Sequence, residues 1–159
     1  MDKTPVCPET GAPMHRDVRP MTLNHKGQSI TFDMPGWYCD TSDQSLHTGE
    51  DMKVSDRILN RLKARAHGLL EPEDVRRVRK KLGLSQTAAG ELIGGGPRAF
   101  QKYEAGDLAL SQAINSALVL LDNDPKSLRI LEEARQRAAP GRPHPSAILG
   151  AATEVAQPN

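Results

Sequence analysis

The sequence has few cysteines, few aromatic residues and no long apolar run. Two cysteines in 159 residues are too few for a disulfide framework. No apolar stretch approaches the ~20 residues that a membrane-spanning helix needs, and the first residues lack the apolar core of a secretion signal. One Trp, two Tyr and two Phe give little material for a large hydrophobic core. We therefore expect a cytoplasmic protein of two small domains without a membrane segment.

The formal net charge of +1 conceals an uneven distribution of charge along the chain. Residues 1–50 contain four basic and seven acidic residues. Residues 76–102, which we call the basic segment, contain seven basic residues and one acidic residue. A basic helical segment suits the phosphates of DNA, and an acidic unit suits a basic protein partner. Any one of these charged residues can equally be an ordinary solvated surface residue without a binding role.

The local pattern predicts that two helices meet at a short turn near residue 83. Val75, Val78 and Leu82 are spaced to form the apolar face of a first helix. Gly83 suits the position just after a helix, and Ser85 suits the N-cap of the next one. The apolar side chains of the second helix are Ala88, Ala89, Leu92 and Ile93.

A glycine turn and a third helix follow. Three consecutive glycines, residues 94–96, end the second helix, and Pro97 suits the first position of the third. In that helix Phe100 and Tyr103 are spaced to point inward. This layout is typical of a helix-turn-helix, whose second helix enters the major groove of DNA. The alternative is an ordinary helical hairpin with solvated charges.

The outer face of the third helix carries the candidate base contacts. Arg98 and Lys102 are one helical turn apart, near the end where such helices meet base edges, and Gln101 lies on the same side. Both cations favour guanine, through its O6 and N7 acceptors. Lys80 and Lys81 of the first helix are candidate phosphate contacts.

This segment resembles the helix-turn-helix of phage-repressor-like regulators. The similarity lies in Arg79, in residues 83–86 (Gly-Leu-Ser-Gln) and in residues 103–106 (Tyr-Glu-Ala-Gly). It implies a structural ion pair between Arg79 and Glu104. It also implies that Gln86, at a helix N-terminus, contacts a DNA phosphate, and we expect Ser85 beside it to do the same.

Most of the chain is similar to the MqsA group of antitoxins from type II toxin–antitoxin systems. The similarity is carried by the three glycines, by Ala99 and Phe100, and by the run that ends at Gly106. Relatives commonly carry Asn where this chain has Arg98, which predicts a different operator. The resemblance also implies an N-terminal zinc-ribbon-like domain with two Cys-x-x-Cys knuckles.

Both knuckles are incomplete in this chain. Cys7 and Cys39 stand at the first position of each, but Thr10 and Ser42 replace the second cysteines. A structural zinc site needs four ligands, so we predict that no metal is bound. Hydrogen bonds from the two hydroxyls should take the place of the metal bonds. The two cysteines should still lie close together, without a lasting disulfide in the cytoplasm. The alternative is a residual metal site, completed by side chains from His15, His47, Asp40 and Asp43.

These observations predict an α+β protein in three parts. Residues 1–68 form a β-rich, zinc-ribbon-like domain that ends in a helix. Residues 69–138 form an all-α helix-turn-helix domain that also dimerises. Residues 139–159 are rich in Pro, Gly and Ala and are expected to form a disordered tail.

Further turns and helices are expected inside these parts. Lys26–Gly27 suits a hairpin turn, and residues 34–36 (Met-Pro-Gly) suit another. An amphipathic helix should run from about Asp51 to His67. Ser111 and Asp124 should cap two later helices.

The sequence predicts an antitoxin that is also a transcriptional repressor. The resemblance implies that the N-terminal domain binds a cognate toxin, typically an mRNA-cleaving ribonuclease, and that the protein represses its own operon. We expect a homodimer on a palindromic operator, because one helix-turn-helix contacts only a few base pairs. Leu118, Leu121 and neighbouring apolar positions are candidate dimer contacts, unless these leucines close the core of the monomer.

Other functions are less well supported by the residues. The glycines at 94–96 lack the spacing and the Lys-Ser/Thr pair of a phosphate-binding loop, and no Ser/His/Asp arrangement stands out. We therefore expect neither enzyme activity nor a cofactor. Two alternatives stay open: a solitary helix-turn-helix regulator without a toxin, and a metal-sensing interaction module.

Overall fold

The computed structural model describes residues 3–138, and the predicted tail, residues 139–159, lies outside them. A three-stranded antiparallel sheet comes first, in the order β1-β2-β3. Six α-helices follow, which confirms the predicted α+β class. The strands are β1 (His15–His25), β2 (Gln28–Tyr38) and β3 (Ser45–Leu46). The helices are α1 (Gly49–Ala66), α2 (Pro72–Lys81), α3 (Gln86–Leu92), α4 (Ala99–Ala105), α5 (Gln112–Asn123) and α6 (Leu128–Arg137).

The β1–β2 hairpin turns at Lys26 and Gly27, as predicted. Both residues have positive φ angles, 47° and 79°, which is the requirement of the two-residue turn that matches strand twist. Pairing then runs without interruption from His25 and Gln28 at the turn to His15 and Tyr38 at the far end.

The second turn that was expected at residues 34–36 is wrong. These residues continue β2, where Pro35 pairs with Val18. Counted from the turn, Val18–Pro35 and Pro20–Asp33 are pairs that exchange no backbone hydrogen bonds, so neither proline removes a bond of the ladder. Gly36 is needed there because an added Cβ would lie 2.5 Å from Nδ1 of His47.

Helix α1 joins the sheet to the helical part of the chain. It begins with a capping box between Thr48 and Asp51, and Arg16 of β1 donates two hydrogen bonds to the Asp51 carboxylate, at 2.9 and 2.7 Å. Its C-terminal half faces the helices, where Asn60 Nδ2 donates to the Gly106 carbonyl at 3.0 Å. Arg57 binds Asp107 nearby, at 2.7 Å.

The helical part closes around one apolar core. Phe100 and Leu118 are fully buried at its centre, and Phe100 meets Tyr103 edge to face with ring centroids 5.6 Å apart. Leu121 is buried as well, so the assignment of Leu118 and Leu121 to a dimer contact is wrong. Their spacing on α5 serves the monomer core. The remaining buried members of this core are Val75, Val78, Ala89, Ala99 and Leu110.

Candidate nucleic-acid interface

Most of the predicted DNA contacts lie on helices α3 and α4 or at their N-caps, and local chemistry fixes where α3 begins. Gly83 takes a positive φ of 71° after α2, a conformation in which glycine has no steric cost. The Ser85 hydroxyl accepts from the Ala88 amide at 3.1 Å and so caps α3.

The turn between α3 and α4 is unusually tight. Gly94, Gly95 and Gly96 all have positive φ angles, 137°, 94° and 90°. The Gly96 carbonyl lies against Gly90 of α3, where an added Cβ would be 1.9 Å from its oxygen. This carbonyl also accepts from the Ala99 amide at 3.2 Å. The prediction that Pro97 opens α4 is therefore wrong, since the turn lasts two residues longer and Arg98 is the N-cap.

Glu104, at the end of α4, is the centre of a buried ionic cluster. Its side chain is 1% exposed and binds the Arg79 guanidinium through two hydrogen bonds, one of them from Nη2 at 3.0 Å. Arg76 also donates to it, at 3.3 Å. Burial raises the pKa of Glu104, but hydrogen bonds from Arg79 and Gln86 outweigh burial and hold the pKa below its ordinary value. The cluster ties α2 to the C-terminal end of α4.

The contact that Gln86 makes differs from the phosphate contact that the resemblance implies. Its side-chain Nε2 donates to Glu104 at 3.0 Å, so in this structure the amide completes the ionic cluster. A contact between this side chain and a DNA phosphate would require it to turn away from Glu104. Ser85 likewise uses its hydroxyl as the cap of α3.

Four of the seven cations counted in the basic segment are bound by carboxylates from outside the segment. Arg77 and Lys81 both bind Asp122 of α5, at 2.9 Å each, and these bonds lower the pKa of Asp122 to about 2. Lys81 is thus engaged on α5, and the predicted phosphate contact would require it to leave Asp122. Asp122 was missed by sequence reasoning because it lies 41 residues from Lys81, and no local pattern marks such a pair.

The candidate base contacts form an exposed group on α4. Arg98, Gln101 and Lys102 are all exposed, while Phe100 and Tyr103 on the opposite face are buried. Lys80 is exposed at the end of α2. Among the residues that the structure describes, these three cations have no salt-bridge partner within 4.0 Å, unlike the other four cations of the basic segment.

The knuckle positions of the N-terminal part come together as two matched loops. The Cys7 amide donates to the Ala12 carbonyl at 2.8 Å, and the Cys39 amide donates to the Gln44 carbonyl at 3.1 Å. Each loop is thus closed by a hydrogen bond across five residues, starting from its cysteine. Both cysteines are buried in one cluster with Met14.

The side chains of the two loops bind each other crosswise. The Ser42 hydroxyl lies 3.3 Å from the Cys7 sulfur, and the Thr10 hydroxyl lies 3.6 Å from the Cys39 sulfur. Thr41 adds a contact of 3.2 Å to Cys39. Hydrogen bonds from Ser42, Thr41 and Thr10 lower the pKa of Cys39 to about 6, and bonds from Ser42 and Thr10 lower that of Cys7. We call these five residues the thiol–hydroxyl cluster.

The thiol–hydroxyl cluster does not fit a structural zinc ion. Two of its four knuckle positions are hydroxyls, which are not among the usual zinc ligands. His15 and His47 do not complete a set, because His15 faces Asp17 and Asp40 and His47 lies against Ser45 and the Pro35 carbonyl. Within residues 3–138 no group of three or more His, Cys, Asp or Glu side chains is placed to hold a metal.

The comparison with known proteins identifies the family of this chain. A family model described as the antitoxin component of a bacterial toxin–antitoxin system, MqsA, matches residues 2–135. A protein named Antitoxin MqsA from Escherichia coli (strain K12) is 32% identical over 131 residues, which cover 79% of this chain and 96% of that protein. The chain is therefore an antitoxin of a toxin–antitoxin system. It belongs to the MqsA antitoxin family.

Of the helices in the described residues, none is both long enough and apolar enough to cross a bilayer.

Proposed function

We propose that this antitoxin is a transcriptional repressor that binds a palindromic operator as a homodimer through α3 and α4, which act as a helix-turn-helix. The exposed group Arg98, Gln101 and Lys102 on α4 carries the proposal. Its members share the outer face of a helix whose inner face is anchored by Phe100 and whose end is held by Glu104. A rigidly held helix with free polar side chains suits base recognition in the major groove.

The distribution of free charge supports separate roles for these residues. Arg98 is the N-cap of α4 and Lys102 lies one helical turn further along; both are proposed to contact guanines. Lys80 lies at the end of α2, outside the helix pair, and is proposed to contact phosphate. With Arg77 and Lys81 already bound to Asp122, the salt dependence of binding should reflect fewer phosphate contacts than the seven cations of the sequence suggest.

The toxin partner follows from the family, and its chemistry is part of the proposal. We infer that residues 1–68 bind the toxin and that the toxin is an mRNA-cleaving ribonuclease. The acidic balance of residues 1–50 suits a basic partner. No enzyme activity of the antitoxin itself is needed in this scheme, which operates in the cytoplasm.

Binding to DNA tests the first half of the proposal. The DNA is the region upstream of the antitoxin gene, with the protected site found by footprinting, and a scrambled duplex serves as the reference. Arg98→Ala should weaken binding to the site by ~1–3 kcal/mol and relax preference at one base pair. Lys80→Ala is the matched control: it should weaken both duplexes alike and reduce the salt slope by about one.

Two outcomes would contradict this assignment. An equal loss on both duplexes for Arg98→Ala would make Arg98 a phosphate contact. Absence of any protected site would remove the repressor role.

Expression from the native operon tests the second half. Tagged antitoxin should retain a small basic protein that degrades mRNA once it is released. If the antitoxin is recovered alone and still represses transcription, the alternative of a solitary regulator replaces the proposal.

A further inference from the structure

The thiol–hydroxyl cluster brings two cysteines from distant parts of the chain to one place. Cys7 and Cys39 lie in matched loops, and each sulfur contacts a hydroxyl that belongs to the other loop. Neither thiol is in a disulfide. Since the cluster does not fit zinc, no metal blocks these sulfurs from reacting.

We propose that Cys7 and Cys39 form a redox site, which closes to an intrachain disulfide when the protein meets a hydroperoxide. The proposal does not depend on DNA or toxin binding. It rests on the crosswise contacts that hold two thiols in one buried cluster. In this proposal the two cysteines react with each other and do not bind a metal.

The reaction proceeds in two balanced steps. The Cys39 sulfur attacks one oxygen of the hydroperoxide, the O–O bond breaks, and Cys39 becomes a sulfenic acid while water or an alcohol leaves. The Cys7 sulfur then attacks the sulfenic sulfur, the S–S bond forms, and the hydroxyl leaves as water with the proton of Cys7. Two thiols lose two electrons in total, and the hydroperoxide takes up both.

Access to the thiols is controlled by two threonines. Cys7 and Cys39 are each 1% exposed, but Thr10 and Thr41, which contact Cys39 and each other, are exposed. A cover one side chain thick should admit a molecule the size of hydrogen peroxide and exclude a bulky reagent. The fold therefore favours small oxidants.

The test exposes the reduced full-length protein to hydrogen peroxide. Both thiols should disappear together, and peptide mass spectrometry should find one Cys7–Cys39 cross-link that a dithiol reductant reverses. The native protein should form it at least about tenfold faster than the chain in urea, because the fold holds the sulfurs together. A bulky maleimide should label the native protein far more slowly than the unfolded chain.

Single-cysteine variants provide the controls. Cys7→Ser should stop the reaction at the Cys39 sulfenic acid, which dimedone traps, whereas the wild type should give little dimedone adduct. If a variant does not fold, the cross-linking rates of native and urea-unfolded wild-type protein still test the proposal. The proposal is overturned by cross-links only between chains, by equal rates in native and unfolded protein, or by one tightly bound zinc per purified chain.

Discussion

Glu104 shows how one buried carboxylate can organise a DNA-binding unit. It receives hydrogen bonds from Arg76, Arg79 and Gln86, so two helices and the start of a third depend on it. These partners offset the cost of burying the Glu104 charge, and without Glu104 they are left as uncompensated charge.

Removal of this carboxylate should destabilise the protein strongly. Glu104→Ala leaves Arg79 without its carboxylate, and Arg79 is only 12% exposed, so we expect a loss of ~3–5 kcal/mol in the free energy of unfolding. Urea denaturation measures it. Glu91→Ala, at an exposed position on α3, is the control and should change stability little. Equal stability of the two variants would show that the ionic cluster contributes nothing.

The lowered pKa of Glu104 also predicts how stability depends on pH. Its pKa in the folded state is below the unfolded value, so its contribution is complete above the unfolded value, about 4.3. The contribution is lost as pH falls from there through the folded pKa. Wild-type stability should therefore fall more steeply below about pH 4 than that of Glu104→Gln. Parallel curves for the two proteins in acid would contradict this assignment.

At the scale of elements, α3 and the glycine turn are fitted to each other through Gly90. Its Cα lies so close to the Gly96 carbonyl that no side chain fits between them. This contact sets the distance between α3 and the start of α4, and hence the position of Arg98.

A methyl group at position 90 should therefore disrupt this contact. Alanine is the better helix former by about 1 kcal/mol, yet Gly90→Ala should destabilise by ~1–3 kcal/mol, because the backbone must move. Thr87→Ala, at an exposed position on the same helix, should be neutral or slightly stabilising. Thermal melts of both variants compare these effects. If Gly90→Ala stabilised the protein, the backbone of the glycine turn would be able to move at little cost.

The elements differ in how far the sequence predicts them. Local chemistry predicted the caps at Ser85 and Ser111 and the hairpin turn at Lys26 correctly, because each depends on a few adjacent residues. It failed at Pro35 and Pro97. There the backbone is decided by a paired strand and by a carbonyl packed on α3, and neither contact is visible in a local pattern.

The site shows the same division. The exposed position of Arg98 and Lys102 and the contact between Arg79 and Glu104 follow from helical spacing together with the resemblance. The bonds from Lys81 to Asp122 and from Gln86 to Glu104 could not be predicted in this way, because these partners come from other helices. A count of charges along the sequence therefore overestimates the free positive charge.

At the scale of the whole molecule, the proposed dimer needs a surface other than the buried leucines. On α5, Leu120 is 70% exposed and Val119 is 48% exposed, on the side turned away from Leu118. These side chains are the better candidates for contact with a second copy, because large exposed apolar residues often mark interfaces.

A charge at Leu120 should weaken this association. Leu120→Glu should raise the dimer dissociation constant roughly tenfold or more, if Leu120 is central to the interface. Leu108→Glu changes another exposed leucine, 48% exposed and between α4 and α5, and should leave association unchanged. Analytical ultracentrifugation of both variants gives the answer. A wild-type protein that is monomeric when bound to its operator would remove the dimer from the proposal.

The two prolines of the hairpin have a consequence for solubility. The backbone nitrogens of Pro20 and Pro35 face away from the β1–β2 ladder, toward the two outer margins of the sheet, and carry no hydrogen to donate. β3 covers β2 only at Trp37 and Tyr38, so along much of the described sheet these margins face no other strand. An unpaired margin is a template for strands of other molecules, and a proline there removes a donor that such a strand would need. The hairpin is thereby protected against edge-to-edge aggregation.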